Sequence, residues 1–190
     1  MSKAKFKKMS EATQEDWAIA LRYESMCISK LPLRILNAVK NLEQLEIYAG
    51  YPVSIYEHSL QCATRALRDG ADDQMIVACL VHDIGYELAT RNHSEFAAAI
   101  LRPYVREEIT WIIEHHSIFN TYYYADQTPQ WKDLKNSRDE FKDHKWFNST
   151  LYFCENYDGL SFDPDYDTLP LSTFEPLVHD VFRRLTFGGF

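Results

Sequence analysis

His82 and Asp83 stand side by side in the run Leu80-Val81-His82-Asp83-Ile84-Gly85. An imidazole and a carboxylate at adjacent positions can grip one divalent metal ion, with the carboxylate free to bridge to a second. Four further residues can complete such a centre: His58, His93, His116 and Asp158. The set uses four of the chain's seven histidines. A lone histidine on a helix is ordinarily a satisfied core group. The adjacent pair at the end of an apolar segment is what lifts the metal reading for the rest. Iron, manganese and zinc all accept this donor mixture.

Helices must deliver these residues. Segments 10–28 and 33–46 carry Trp17, Ile19, Leu21 and Met26, then Ile35, Leu36, Val39 and Leu42, at spacings nearer a helical period than a strand's alternation. Tyr48-Ala49-Gly50-Tyr51-Pro52 breaks the pattern. Ser54 and Glu57 predict a capping box on a helix that runs to Arg68 and ends at Gly70. Asp72 or Asp73 caps the next, which is apolar on every side from Met75 to Val81 and so central to the fold. Two such helices joined by a tight turn pack antiparallel, which brings His58 beside His82 and Asp83.

Asn92 can cap a helix from His93 to Leu101, and Pro103 can open another that carries His116 on the face of Ile112 and Ile113. Residues 145–158 read as a helix in which Asp158 shares a face with Leu151 and Cys154. A carboxylate aimed inward is costly unless a cation or hydrogen bonds meet it. Residues 120–143, polar and aromatic with Pro129, read as an ordered insertion or lid, and a last helix runs from Thr173 to Leu185. The class is all-α, with residues 1–190 forming one domain.

Bulk properties narrow the partners. The chain is 190 residues long, 46% hydrophobic and 25% charged, with a net charge of −8. That charge argues against nucleic acid, which needs a basic footprint. Lys3, Lys5, Lys7 and Lys8 make residues 1–10 a frayed basic tail. No apolar run approaches the ~20 residues that span a bilayer, and no apolar core follows the lysines as in a secretory signal. Cys27, Cys62, Cys79 and Cys154 lie in predicted helices without a Cys-x-x-Cys pair, so they read as buried free thiols in a reducing cytoplasm. His115 is expected at the edge of the site or on the surface, and His144 and His179 on the surface. The run Asp163 to Asp167 lacks the later Gly and Glu of a calcium loop and reads as a lead-in to the last helix.

Over residues 45–160 the chain resembles the HD-domain superfamily, named for the His-Asp doublet. The resemblance implies a helical bundle with a dinuclear metal site in its core, ligands arriving in the order His58, His82-Asp83, His93, His116, Asp158. Four-ligand members bind one metal and often hydrolyse phosphate esters; six-ligand members bind two. The stretch Tyr48 to Gln61 is similar to the diiron oxygenases that cleave hydroxylated aminophosphonates, and His116-Ser117 looks like the pair in myo-inositol oxygenase. The resemblance implies two iron ions bridged by Asp83 and a Tyr48 that occupies the open iron position until substrate displaces it. The chain departs from that branch where Tyr51, Tyr86, Asn120 and Glu155 stand in place of its Glu, His, Lys and Arg. Loss of two cations makes a phosphonate a poor substrate.

Two functions therefore compete. One is oxygenation of a small hydroxylated molecule by dioxygen at two irons, with Asp83 and Tyr48 catalytic. Tyr48, Tyr51, Tyr86, Ser117, Asn120 and Glu155 would contact substrate, and Phe119, Tyr122, Tyr123 and Tyr124 would wall the pocket. The other is hydrolysis of a phosphate ester or nucleotide at a single Mn2+, Ni2+, Co2+ or Mg2+. Such sites usually clamp phosphate with cations, and Arg65 and Arg91 are the few at hand. That scarcity favours the oxygenase, and an acidic, aromatic pocket suits a neutral polyol or a cationic hydroxy compound. A metal-bound regulatory module without turnover is a third possibility.

Overall fold

The computed structural model describes residues 2–46 and 49–184. Among these the regular structure is entirely helical, with no strand. The helices are α1 (Gln14–Ser29), α2 (Leu31–Asn41), α3 (Ile55–Arg68), α4 (Asp73–Val81), α5 (His93–Leu101), α6 (Glu107–Tyr124), α7 (Phe147–Phe153) and α8 (Leu171–Arg183). The fold is an all-α bundle. No helix among the described residues is long and apolar enough to cross a membrane.

Local chemistry sets the helix starts. Thr13 and Asp16 form a reciprocal capping box, so α1 begins at Gln14 rather than at residue 10. Asp72 caps α4 through the Met75 amide. Ser54 caps α3 through the Glu57 amide, but the predicted box is half made. The Glu57 carboxylate instead accepts from Thr168 Oγ1 at 2.5 Å, tying the start of α3 to the loop before α8. Asn92 makes no side-chain cap, and α6 starts at Glu107, not at Pro103. Its first turn is set by Arg106, whose carbonyl accepts from Ile109 and Thr110.

α4 is the central rod, and Ile76 to Val81 are all buried. Around it pack Ile35 and Val39 of α2, Leu60 and Ala63 of α3, Ile109 and Ile112 of α6, and Phe174 and Val178 of α8. Burial of such aliphatic and aromatic groups stabilises by about 1.5–3 kcal/mol each. α1 buries none of its residues, and Cys27 on it is exposed, contrary to the expectation of four buried thiols. The prediction failed because a helix with scattered apolar residues need not be covered.

Two glycines allow close approaches that the site needs. A Cβ on Gly85 would lie 2.6 Å from the backbone of His93. At Gly159 a Cβ would lie 2.6 Å from the Cys154 carbonyl. That carbonyl accepts from the Gly159 amide and closes a π turn, Cys154–Asp158, which continues α7. The predicted helix 145–158 is thus α7 plus this turn. The extra residue per turn changes the direction in which the chain leaves α7.

Candidate metal centre

Five elements bring six side chains together. α3 carries His58 one turn from its start. His82 and Asp83 come directly after α4, His93 is the first residue of α5, His116 lies within α6, and Asp158 ends the π turn. All six are buried, His93 the least at 9% exposure. The antiparallel pairing of α3 and α4 is what joins the first three.

Each imidazole is oriented by a backbone carbonyl. Nδ1 of His82, His93 and His116 donates to the carbonyl three residues earlier, at Cys79 (2.7 Å), Thr90 (3.3 Å) and Ile113 (2.7 Å). Nδ1 of His58 donates to Ser161 at 2.9 Å. A carbonyl can only accept, so Nδ1 carries the proton and Nε2 presents its lone pair. All four Nε2 atoms face the same centre.

There Asp83 faces two ways. Its Oδ2 lies 3.5 Å from His58 Nε2 and 3.3 Å from His82 Nε2, while Oδ1 lies 3.4 Å from His93 Nε2 and 3.5 Å from His116 Nε2. Asp158 Oδ1 joins the first pair, 3.2 Å from His58 and 3.7 Å from His82. The two imidazoles of that pair approach to 3.1 Å. With every imidazole neutral, as metal binding requires, lone pairs confront lone pairs and buried carboxylates, an arrangement that is costly without a cation at its centre. Two triads, His58 with His82 and Asp158, and His82 with Asp83 and His116, bring their ligand atoms within 4.8 Å of one another and could each hold a metal ion. The donor set fits divalent transition metals.

The electrostatics agree. Burial alone would raise the Asp83 carboxyl, but His82, His116 and His58 hold it well below the carboxylate range. Asp158 is depressed in the same way by His82 and His58. Burial pushes against the charged form of His82, yet Asp83, Cys62 and Asp158 together raise it well above an ordinary imidazole. His93 is lowered, by burial and then by His116, despite Asp83.

The cluster opens on a cavity of about 620 Å3; Asp83, His93, His116 and Asp158 line it, and His58 and His82 do not. Phe162 stacks on His58 at 4.5 Å and covers that side. Ser117 stands at the cavity wall, its hydroxyl 2.9 Å from His93 Nε2 and bonded in turn to Ser94 Oγ. Asn120 donates from Nδ2 to Asp158 Oδ2 at 2.5 Å. Tyr86 stacks on His93 at 3.9 Å, and Tyr51 and Glu155 also line the space. Tyr48 lies outside the described residues.

Of the aromatic run, Tyr123 and Tyr124 line the cavity, whereas Phe119 is core against Phe147 and Tyr122 packs under Arg138. Thr128, Trp131 and Phe162 complete the wall and carry no spacing signal that sequence could have read. Arg65 and Arg91 do not line it. Arg65 donates to the Leu160 carbonyl at 2.8 Å and lies over Tyr166; Arg91 is exposed. His144, expected on the surface, instead stacks on Trp111 at 3.5 Å, and His115 stacks on the same ring at 3.6 Å. His179 is half-buried.

Residues 55–141 match the family model of the HD domain. Among curated proteins, the chain is 30% identical over 103 residues to a [1-hydroxy-2-(trimethylamino)ethyl]phosphonate dioxygenase (glycine-betaine-forming) of Leisingera caerulea, a match covering 48% of this chain and 53% of the relative. The chain therefore spans about half the length of that relative.

Proposed function

We propose that this chain, which carries an HD domain over residues 55–141, is an oxygenase that holds two iron ions and uses dioxygen to oxidise or cleave a small hydroxylated organic substrate. The observation that carries the reading is the two-faced carboxylate of Asp83, set between the imidazole pairs His58/His82 and His93/His116. With Asp158 beside the first pair, one position is offered four protein ligands and the other three. The Leisingera relative is a dioxygenase, which supports the use of dioxygen here.

Bound iron would supply activation of dioxygen and a Lewis-acidic seat for a substrate hydroxyl. The protein's own side chains do the rest. Both imidazoles of the three-ligand position, His93 and His116, line the cavity, whereas His58 and His82 of the other do not, so substrate enters on the side with fewer ligands. Phe162, on the cavity wall, covers the His58 ring. Asn120 fixes which oxygen of Asp158 points inward. Ser117, bonded to both Ser94 and His93, offers a hydroxyl at the cavity wall that can take or give a hydrogen bond to a substrate oxygen. Tyr124, Trp131 and Tyr51 provide walls that exclude water once a substrate fills the space, which open-shell chemistry needs. Tyr48 keeps the role implied by resemblance, a group displaced by substrate. Residues 120–124 are the end of α6 and not part of an insertion, so the lid narrows to residues 125–143, with Thr128 and Trp131 on its inner surface.

Phosphate ester hydrolysis has less support, because no Lys or Arg among the described residues lines the cavity. The test is dioxygen uptake by the anaerobically purified, iron-loaded protein, offered small hydroxylated ammonium compounds and polyols. Iron-dependent uptake matched to oxidised product is the expected result. Release of phosphate from esters with no dioxygen requirement would overturn the reading.

A further inference from the structure

The cavity wall has a charge and a texture of its own. Apart from the candidate metal ligands, Glu155 is the sole formally charged side chain lining the cavity among the described residues. Its carboxylate is placed by Tyr123, whose hydroxyl donates to Oε1 at 2.7 Å. Arg138 is the nearest cation in this network. It donates to the Tyr123 hydroxyl at 3.3 Å, lies 3.4 Å over the Tyr122 ring, and does not line the cavity. An anionic substituent entering here would meet Glu155 and no Lys or Arg side chain.

Four aromatic rings line the same cavity. Tyr51 and Phe162 form one tilted pair with centroids 5.9 Å apart, and Tyr124 and Trp131 form a second at 5.5 Å. Tyr51, Tyr124 and Trp131 remain 54%, 40% and 43% exposed, so each keeps surface that a ligand can cover. Ring faces carry negative potential and attract cations that shed water easily. Aromatic walls alone would suit any apolar group. A carboxylate lining the same cavity penalises a neutral apolar group and favours a cation.

We propose that this cavity binds a quaternary or protonated ammonium group of the substrate, and that the substrate is not anchored there by phosphonate or phosphate. Tyr51, Tyr124, Trp131 and Phe162 enclose the cation, and Glu155 supplies the counter-charge. The assignment rests on the oxygenase reading only for the identity of the substrate's reacting end, the hydroxyl that faces His93 and His116.

The experiment is a binding titration under nitrogen, on iron-loaded protein, read by calorimetry and by Trp fluorescence. Three probes are compared: choline, its uncharged isostere 3,3-dimethylbutan-1-ol, and 2-hydroxyethylphosphonate. Choline binds about tenfold more tightly than the isostere if the cation is recognised, and the phosphonate binds more weakly than either. Glu155→Gln lowers affinity for choline and leaves the isostere unchanged. Trp131→Ala, at an exposed turn position, lowers both and more so for choline. Equal binding of choline and isostere, tighter binding of the phosphonate, or no binding at millimolar choline overturns the assignment. Because no dioxygen is present, the result is separate from turnover. Selective choline binding without dioxygen uptake would remove the oxygenase reading alone; uptake without charge selectivity would remove the head-group assignment alone.

Discussion

The Asn120 side-chain amide donates to Oδ2 of Asp158 at 2.5 Å, which leaves Oδ1 to face His58 and His82. Asn120 itself lines the cavity. One residue thus orients a candidate ligand and touches the space where substrate would lie. Partners that orient metal ligands typically contribute roughly 10–100-fold in affinity. Asn120→Ala is predicted to weaken iron retention by about that factor, measured by competition with a chelator. Asn120→Asp should be worse, because a second carboxylate would repel Asp158. Retention equal to wild type in both variants would show that this hydrogen bond does not position the ligand.

Gly85→Ala is predicted to damage the site through the backbone. Its Cβ would lie 2.6 Å from the Cα and carbonyl oxygen of His93, atoms that cannot move without shifting the start of α5. Overpacking of this kind costs about 1–3 kcal/mol. Urea unfolding should register that loss, and iron bound through His93 should fall with it. A variant as stable as wild type would mean that α5 can slide freely.

His93→Ala separates the two halves of the cluster. His58, His82, Asp83 and Asp158 remain as four ligands around one position. Metal analysis should fall from two ions per chain toward one, with dioxygen uptake abolished. Full uptake by a one-metal variant would assign the chemistry to the closed half.

The pH dependence has a definite sign. In metal-free protein His82 is raised above its unfolded value of about 6.5. Its contribution to stability is therefore fully present below about pH 6.5 and is lost as pH rises through the raised value. Asp83 and Asp158 are depressed, so their contributions persist above about pH 4 and are lost only at lower pH, as it falls through their folded values. Metal binding demands neutral imidazoles and displaces their protons. The Tm difference between iron-loaded and metal-free protein should widen steadily from about pH 5.5 to about pH 8. A difference constant over that range would mean that these imidazoles do not bind the metal.

The inward side chains were legible where an apolar segment or face could be counted beside them, and His58 through the antiparallel pairing of its helix with the next. His82-Asp83 directly follows α4, which is apolar from Met75 to Val81, and His116 shares the face of Ile112 and Ile113. The carbonyls of Cys79, Thr90, Ile113 and Ser161 that orient the imidazoles were not, since a backbone acceptor has no residue signature. Trp131 and Thr128 were missed for a different reason. They sit in or beside short 3-10 turns, which are too brief to impose a hydrophobic period. The cap at Ser54 was half legible, because Glu57 found a distant partner in Thr168 in place of the local one. Cys27 misled because α1 has apolar residues but no cover.

The two-sided carboxylate of Asp83 is best tested by iron stoichiometry and electron paramagnetic resonance on protein purified without air. Two irons per chain, with a coupled mixed-valent signal that Asp83→Asn abolishes, is the predicted result. One ion per chain, or two whose signals show no coupling, would contradict a centre bridged at Asp83.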